Sequence, residues 1–252
     1  LPASAVVAGP DGNTDAGTIT IITNPKTGIT SVSNAASFEG GRNTETDDEF
    51  RARYYVSTDF AGGVNLDAII AAIYENVEAV IAVTGEENDT DETNASGLPP
   101  HSIELVVYGG LDEEIAKSIH RRKGAGIQTY GNVTVPVVDA AGNIKNICFS
   151  RPAPVNVWVK VFNLQTDNTF PLDGIEQIKQ RLAEYIGSDT RGGLNIGQNV
   201  ICVALPTEVF KVQGVVDFDL QISSDGETYS WKNITIAARE KAVTNEDMVV
   251  VE

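Results

Sequence analysis

Reactive side chains are scarce in this sequence. Its 252 residues include two cysteines, two histidines, one methionine and two tryptophans. Cys148 stands between Ile147 and Phe149, and Cys202 between Ile201 and Val203. Two single cysteines in apolar contexts argue against a disulfide framework and predict buried free thiols. The two cysteines and the two histidines, His101 and His120, are spread singly with no close pair among them, which argues against a zinc site. Nucleophilic catalysis needs a base within reach of its nucleophile, and no Gly-x-Ser-x-Gly elbow is present. Long apolar runs are missing too. Nothing approaches the ~20 residues that span a bilayer, and no basic, apolar, small-residue series opens the chain, so membrane insertion is not expected. Positive charge is in deficit: 35 acidic against 18 basic residues leave a formal charge of −17, which repels a phosphate backbone and argues against nucleic acid as a partner. With Leu1 in place of an initiator methionine, the sequence is expected to be a piece of a longer protein.

What is present is ordinary globular material. Hydrophobic residues at 42% and charged residues at 21% suffice to offset the entropy of ordering the chain. The length predicts two compact units with a short extra segment. Residues 1–40 are that segment, rich in Gly, Thr, Ser and Asn. The alternation Thr18-Ile19-Thr20-Ile21 predicts a half-buried strand, and Asn24-Pro25-Lys26-Thr27-Gly28 a turn. So little apolar surface cannot make a core of its own, and we expect the remnant of an N-terminal β-rich domain.

Residues 41–150 predict a central α+β domain. Thr46 and Glu49 have the spacing of a reciprocal cap ahead of Phe50 and Tyr54. After Gly62-Gly63, Asn65 is placed to cap a helix whose Leu66, Ile69, Ile70, Ile73 and Val77 share one face. Ile103, Leu105 and Val107 alternate with Glu104, Val106 and Tyr108 as a strand that Gly109-Gly110 breaks. Asp112 is then placed to cap a helix carrying Ile115 and Ile119, ended by Gly124 and Gly126. Val133, Val135 and Val137, the Ala140-Ala141-Gly142-Asn143 turn and the return from Ile144 to Phe149 predict a hairpin.

Arg151-Pro152-Ala153-Pro154 marks the boundary, because two prolines are expected to continue neither a helix nor a ladder. Residues 151–252 predict a C-terminal α+β domain. Val155, Val157, Val159 and Val161 make a core face opposite Asn156, Trp158, Lys160 and Phe162. Asp173 and Glu176 repeat the reciprocal cap, and Ile175, Ile178, Leu182 and Ile186 form a stripe that Gly187 ends. The loop from Arg191 to Leu194 leads to an apolar piece, Val200 to Leu205, that stops at Pro206. Val216, Phe218, Leu220 and Ile222 mark a strand, Ser224-Asp225-Gly226 a hairpin turn with its return through Ile234 and Ile236, and Val249 to Val251 the last strand. The predicted class is therefore α+β: two consecutive α+β domains, with mixed or antiparallel sheets and helices on one face, preceded by a short β-rich segment from a truncated domain.

Each candidate for chemistry has a structural reading. The stretch from Glu86 to Glu92 offers oxygens to a hard cation but lacks the glycine and terminal glutamate of a calcium loop, so a solvated loop between two strands is expected. Asp11 to Asp15 reads as a turn. Gly124-Ala125-Gly126 lacks a third glycine and follows a helix, unlike a dinucleotide loop. His120 and Arg121-Arg122-Lys123 complement the negative end of a helix. No catalytic residue, cofactor or metal ligand is predicted. Trp158 and Phe162 are either a second buried layer under the helix of their unit or anchors for a partner, which makes them the candidate interface residues.

The order of motifs resembles the baseplate J-like family of contractile phage tails. It runs through Gly12-Asn13, Ala16-Gly17-Thr18-Ile19, Ser31-Val32-Ser33-Asn34, Gly40-Gly41-Arg42 and the stretch from Glu45 to Arg53. It continues through Glu87-Asn88, Pro99-Pro100-His101-Ser102-Ile103-Glu104, Gly109-Gly110 with Asp112 to Ala116, Lys123 with Gly126-Ile127, Gly131, Phe149-Ser150-Arg151-Pro152, Gln213-Gly214-Val215 and Asp225-Gly226. Glu78-Ala79-Val80 departs from the Pro-Gly-Val-like turn of many members. The resemblance implies a structural, non-enzymatic baseplate wedge protein of the virion tail, assembled in the bacterial host cytoplasm. Its implied partners are other wedge, hub and sheath-proximal tail proteins and further copies of itself, and its implied part is in triggering sheath contraction. From the residues alone, an extracellular or envelope binding module with Asp-rich loops stays open, as does a hydrolase with a site between the two units.

Overall fold

Apolar stripes at helix and strand spacing meet in two separate cores. In a computed structural model of the chain, the described residues are 5–7, 9–24, 26–47, 50–51, 65–188 and 192–252. Glu49, Tyr54, Gly62, Gly63 and Arg191 lie outside them, and with them the first reciprocal cap and parts of two loops.

The central core begins at α1 (Leu66–Asn76), where the Asn65 side chain accepts from the Ala68 amide at 3.0 Å, as its cap position predicts. The elements that follow are β1 (Val80–Asn88), β2 (Ser102–Gly109), α2 (Asp112–Arg122), β3 (Gln128–Tyr130), β4 (Val133–Val138) and β5 (Ile144–Phe149). Three strands form a sheet in the order β1-β2-β3, with β1 antiparallel and β3 parallel to β2, while β4 and β5 make the expected hairpin with Val133 opposite Phe149. Ile69, Ile73 and Val77 join Ile103, Leu105, Val107, Ile115, Ile119, Ile147 and Phe149 in one buried cluster.

The second core lies in β6 (Ala153–Asn156), β7 (Trp158–Thr166), α3 (Gly174–Ile186), α4 (Leu205–Val209), β8 (Val215–Ser223), β9 (Glu240–Val243) and β10 (Val249–Val251). One sheet runs β10-β7-β8, with β10 parallel and β8 antiparallel to β7; β6 and β9 pair in parallel. Val157, Val159 and Val161 are fully buried with Ile178, Leu182 and Ile186 of α3 and with Leu220 and Ile222 of β8. The fold is α+β, as the periodicities predict.

Several local expectations give way to tertiary contacts. Thr18 to Ile21 forms no strand: the described N-terminal residues meet at one bridge, Thr14 to Phe38, and Ile21 is 79% exposed, because among the described residues no apolar surface covers it. Neither Asp112 nor Asp173 caps its helix by a side-chain bond. Asp112 is drawn off by Arg151, and Asp173 accepts from the Gln177 side chain at 3.1 Å. Ile175 stays 39% exposed at the edge of its stripe. Pro154 does sit in a ladder. Ala153 and Val157 donate to the carbonyls of Arg239 and Val243, each at 2.9 Å, so the alternate residue, Pro154, faces away from β9 and its missing N–H costs nothing. Pro206 lies in the first turn of α4 instead of stopping the chain, a place where an amide would have no partner. Ile234 pairs with Val200 and not with β8, which bridges to Ser230 instead.

Gly131, at φ 153°, has the main chain of Phe149 where a side chain would be. Gly131→Ala is therefore expected to cost more than ~1 kcal/mol in urea unfolding, whereas Val216→Ala, at a 56% exposed position, should stay within about 0.5 kcal/mol.

Candidate assembly interface

β2 carries two faces with different tasks. Ile103, Leu105 and Val107 enter the central core, as alternation predicts, but Glu104 and Val106 on the other face are buried as well, at 2% and 5% exposure. The C-terminal unit lies over them. The Glu104 carboxylate accepts from the Ser150 hydroxyl at 2.5 Å, from Arg239 Nε at 2.9 Å to each oxygen, and from Arg239 Nη2 at 2.5 Å. Arg239 also donates to the Ser96 carbonyl at 2.9 Å, while its own carbonyl receives the Ala153 amide. The hydrogen bonds to Glu104 raise the guanidinium pKa above its ordinary value.

Two residues on, Lys241 crosses at the same junction. Its fully buried ammonium donates to the carbonyls of Leu194 at 2.6 Å and Gly192 at 3.0 Å and stands 5.4 Å from the centre of the Tyr108 ring. Burial lowers its pKa to about 8. The same loop sends Ile196 into a small cluster with Ala82 and Val106. Sequence reasoning missed both Arg239 and Lys241, since neither belongs to a local pattern; the one available signal was Glu104, a carboxylate flanked by apolar residues.

The quoted motifs converge elsewhere. Arg151 donates to the carbonyls of Val107, Gly109 and Gly110 at 3.0, 2.6 and 2.7 Å and pairs with Asp112 at 2.6 Å. Gly109 and Gly110, at φ 80° and 72°, take the left-handed backbone that aims those carbonyls at the guanidinium. In the N-terminal segment, Asn13 exchanges two hydrogen bonds with the Gly41 backbone, at 2.7 and 2.8 Å, and Asn34 holds Asp15, Ile19 and Ala36. Arg42 then donates to the Val80 carbonyl at 2.8 Å, tying this segment to β1.

The candidates for chemistry are placed as follows. Asn88, 3% exposed, folds the acidic loop by donating to the carbonyls of Glu92, Leu98 and Pro99, and Asp91 pairs with His101 at 2.9 Å. Among the described residues no group of three or more His, Cys, Asp or Glu is arranged to hold a metal ion. Burial pushes the Cys202 thiol up to about 11, whereas Cys148 is only half-buried, against Thr134. A cleft of about 820 Å³ is lined by Arg42, Tyr74, Val83, Tyr185 and the Glu208–Lys211 pair. No described helix is long and apolar enough to cross a membrane.

Trp158 and Phe162 do not lie under α3, which covers the valine face. They are half-buried on the opposite side of the β10-β7-β8 sheet, Trp158 beneath Gly226, where a Cβ would come 3.1 Å from its ring. Lys160, Gln221, Asp217, Asp219 and Val250 share that side by strand alternation.

Residues 1–41 match the family model of the Baseplate J-like protein barrel domain. The match supports a structural role in a phage tail baseplate, in contact with other tail proteins. No curated protein matches the chain.

Removing Arg239 strands a buried carboxylate, so Arg239→Met should cost ~3–5 kcal/mol in urea unfolding. Glu104→Met should cost less, because it frees a guanidinium that is already 43% exposed. For Lys241, the folded-state pKa of about 8 lies below the 10.5 of an unperturbed lysine. Between those values the unfolded chain holds a proton that the native protein has released, so stability rises with pH across the window. From pH 8 to 10.5 the wild type should gain on the order of 3 kcal/mol relative to Lys241→Met, read from paired melts.

Proposed function

We propose that the chain is a wedge component of a contractile tail baseplate that works by assembly with hub, wedge and sheath-proximal proteins and takes part in triggering contraction. The observation that carries this reading is the match of residues 1–41 to the baseplate J-like barrel domain. Two further features support it. Exposed Ile21, Ile29 and Val32 in that segment suit a β-rich domain that buries them against other strands, and the bonded junction of Glu104, Arg239 and Lys241 suits a part that must hold its shape while neighbours move. In this reading residues 1–40 are the end of the N-terminal β-rich domain, 41–150 the central domain and 151–252 the C-terminal domain. The chain sits in the virion tail, is assembled in the host cytoplasm and meets further copies of itself in the particle. The acidic surface, from a formal charge of −17, favours docking on basic protein surfaces.

Purified tails probed with an antibody to this chain should show label at the baseplate end in negative-stain images, and deletion of the gene should leave tails without baseplates. Label confined to capsids, or a chain absent from the particles, would sink the reading.

A further inference from the structure

We infer that the exposed side of the β10-β7-β8 sheet is a docking face for a basic, extended segment of a different protein chain. This deepens the assembly role and rests on it for the kind of particle in which the partner is met. The valine row and α3 seal one side of the sheet, and among the described residues no helix covers the other. That side combines apolar anchors with uncompensated charge of one sign. Phe162 lies directly opposite Asp219 in the ladder, Trp158 is four pairs along on the same side, and Val250 of β10 is 38% exposed. Lys160, the cation of this face, is neutralised by Glu252 at 3.1 Å. Asp217 and Asp219 have no ion pair among the described residues. Asp219 accepts from the Asn163 side chain at 2.7 Å and Asp217 from the Phe218 amide at 2.9 Å, and both remain exposed.

Two carboxylates two residues apart on a strand are spaced by about 7 Å, the repeat of alternate side chains on an extended segment. Lys or Arg at alternate positions of such a segment would meet both, with an apolar residue against Phe162. A second copy of this chain fits badly. A two-fold pairing of this face on itself would set Asp217 and Asp219 against their equivalents, and like-charge juxtaposition at an interface opposes binding. The chain's excess of 35 acidic over 18 basic residues works in the same direction.

The test is photo-crosslinking in cells that express the chain from its native gene neighbourhood, with p-benzoylphenylalanine replacing Phe162 and, as a control, Val138, a 64% exposed residue on the β4–β5 hairpin. We expect an adduct from position 162 to a different protein, mapping by mass spectrometry to a segment with Lys or Arg at alternate positions. Asp217→Asn with Asp219→Asn should lower its yield about tenfold. An adduct to a second copy, a yield at 162 no higher than at 138, or an adduct mapping to an acidic segment would overturn the inference. Should the double Asn variant fail to fold, as read by its melting curve, the identity of the adduct at 162 decides alone. An adduct to a basic segment of a protein outside the tail would uphold the face and sink the baseplate reading, whereas tails that contain the chain but yield no adduct at 162 would do the reverse.

Discussion

A carboxylate on a strand buried on both sides needs strong hydrogen-bond donors, because withdrawing an ionised group from water costs several kcal/mol. Glu104 is that group here, and its donors come from two directions: Ser150 at the end of β5 and Arg239 just before β9. Ser150 is held alongside β2 by backbone bonds to Leu105 and Val107, and satisfying the carboxylate brings the entry to β9 over that edge. Val106 is then covered by Ile196, Lys241 is carried into the junction, and its ammonium finds the Leu194 and Gly192 carbonyls. One acidic side chain thus organises a junction that no local pattern announces.

Arginine at the boundary works in the same manner at a different place. Arg151 fills the space above the Gly109-Gly110 break, takes three carbonyls that the end of β2 leaves open, and holds the start of α2 through Asp112. Its planar fork of donors suits several acceptors at once, which an ammonium could not match. The residues quoted for the family resemblance in this region, two glycines, an aspartate and an arginine some forty positions on, are thereby parts of a single contact. Asn13 and Gly41 do the equivalent for the two ends of the N-terminal segment.

The C-terminal sheet shows how one strand divides labour between its faces. The β-branched valines pack against α3 in a buried core, while the alternate residues combine aromatic rings with acid. The sheet thus has one face covered by α3 and one that no described helix covers.

Much was legible from residues alone, for a physical reason. Helical stripes at Ile69, Ile73 and Val77 or Ile178, Leu182 and Ile186, the alternating valines, the β4–β5 hairpin and the Asn65 cap depend on backbone geometry and on contacts within a few residues, so spacing alone determined them. The α+β class followed from the same periodicities, and the order of turns and glycine pairs carried the family resemblance. Only the tertiary structure decided which partner a polar group chose when several were available. Asp112 left its cap for Arg151, Pro154 entered a ladder by the parity of its neighbours, and Thr18 to Ile21 stayed out of any strand, with no surface among the described residues to pair with. The same holds for the candidate interface. That Trp158 and Phe162 shared a face was written in their spacing, but whether α3 or solvent met that face depended on which side of the sheet the helix packed, and the fully buried valines took it.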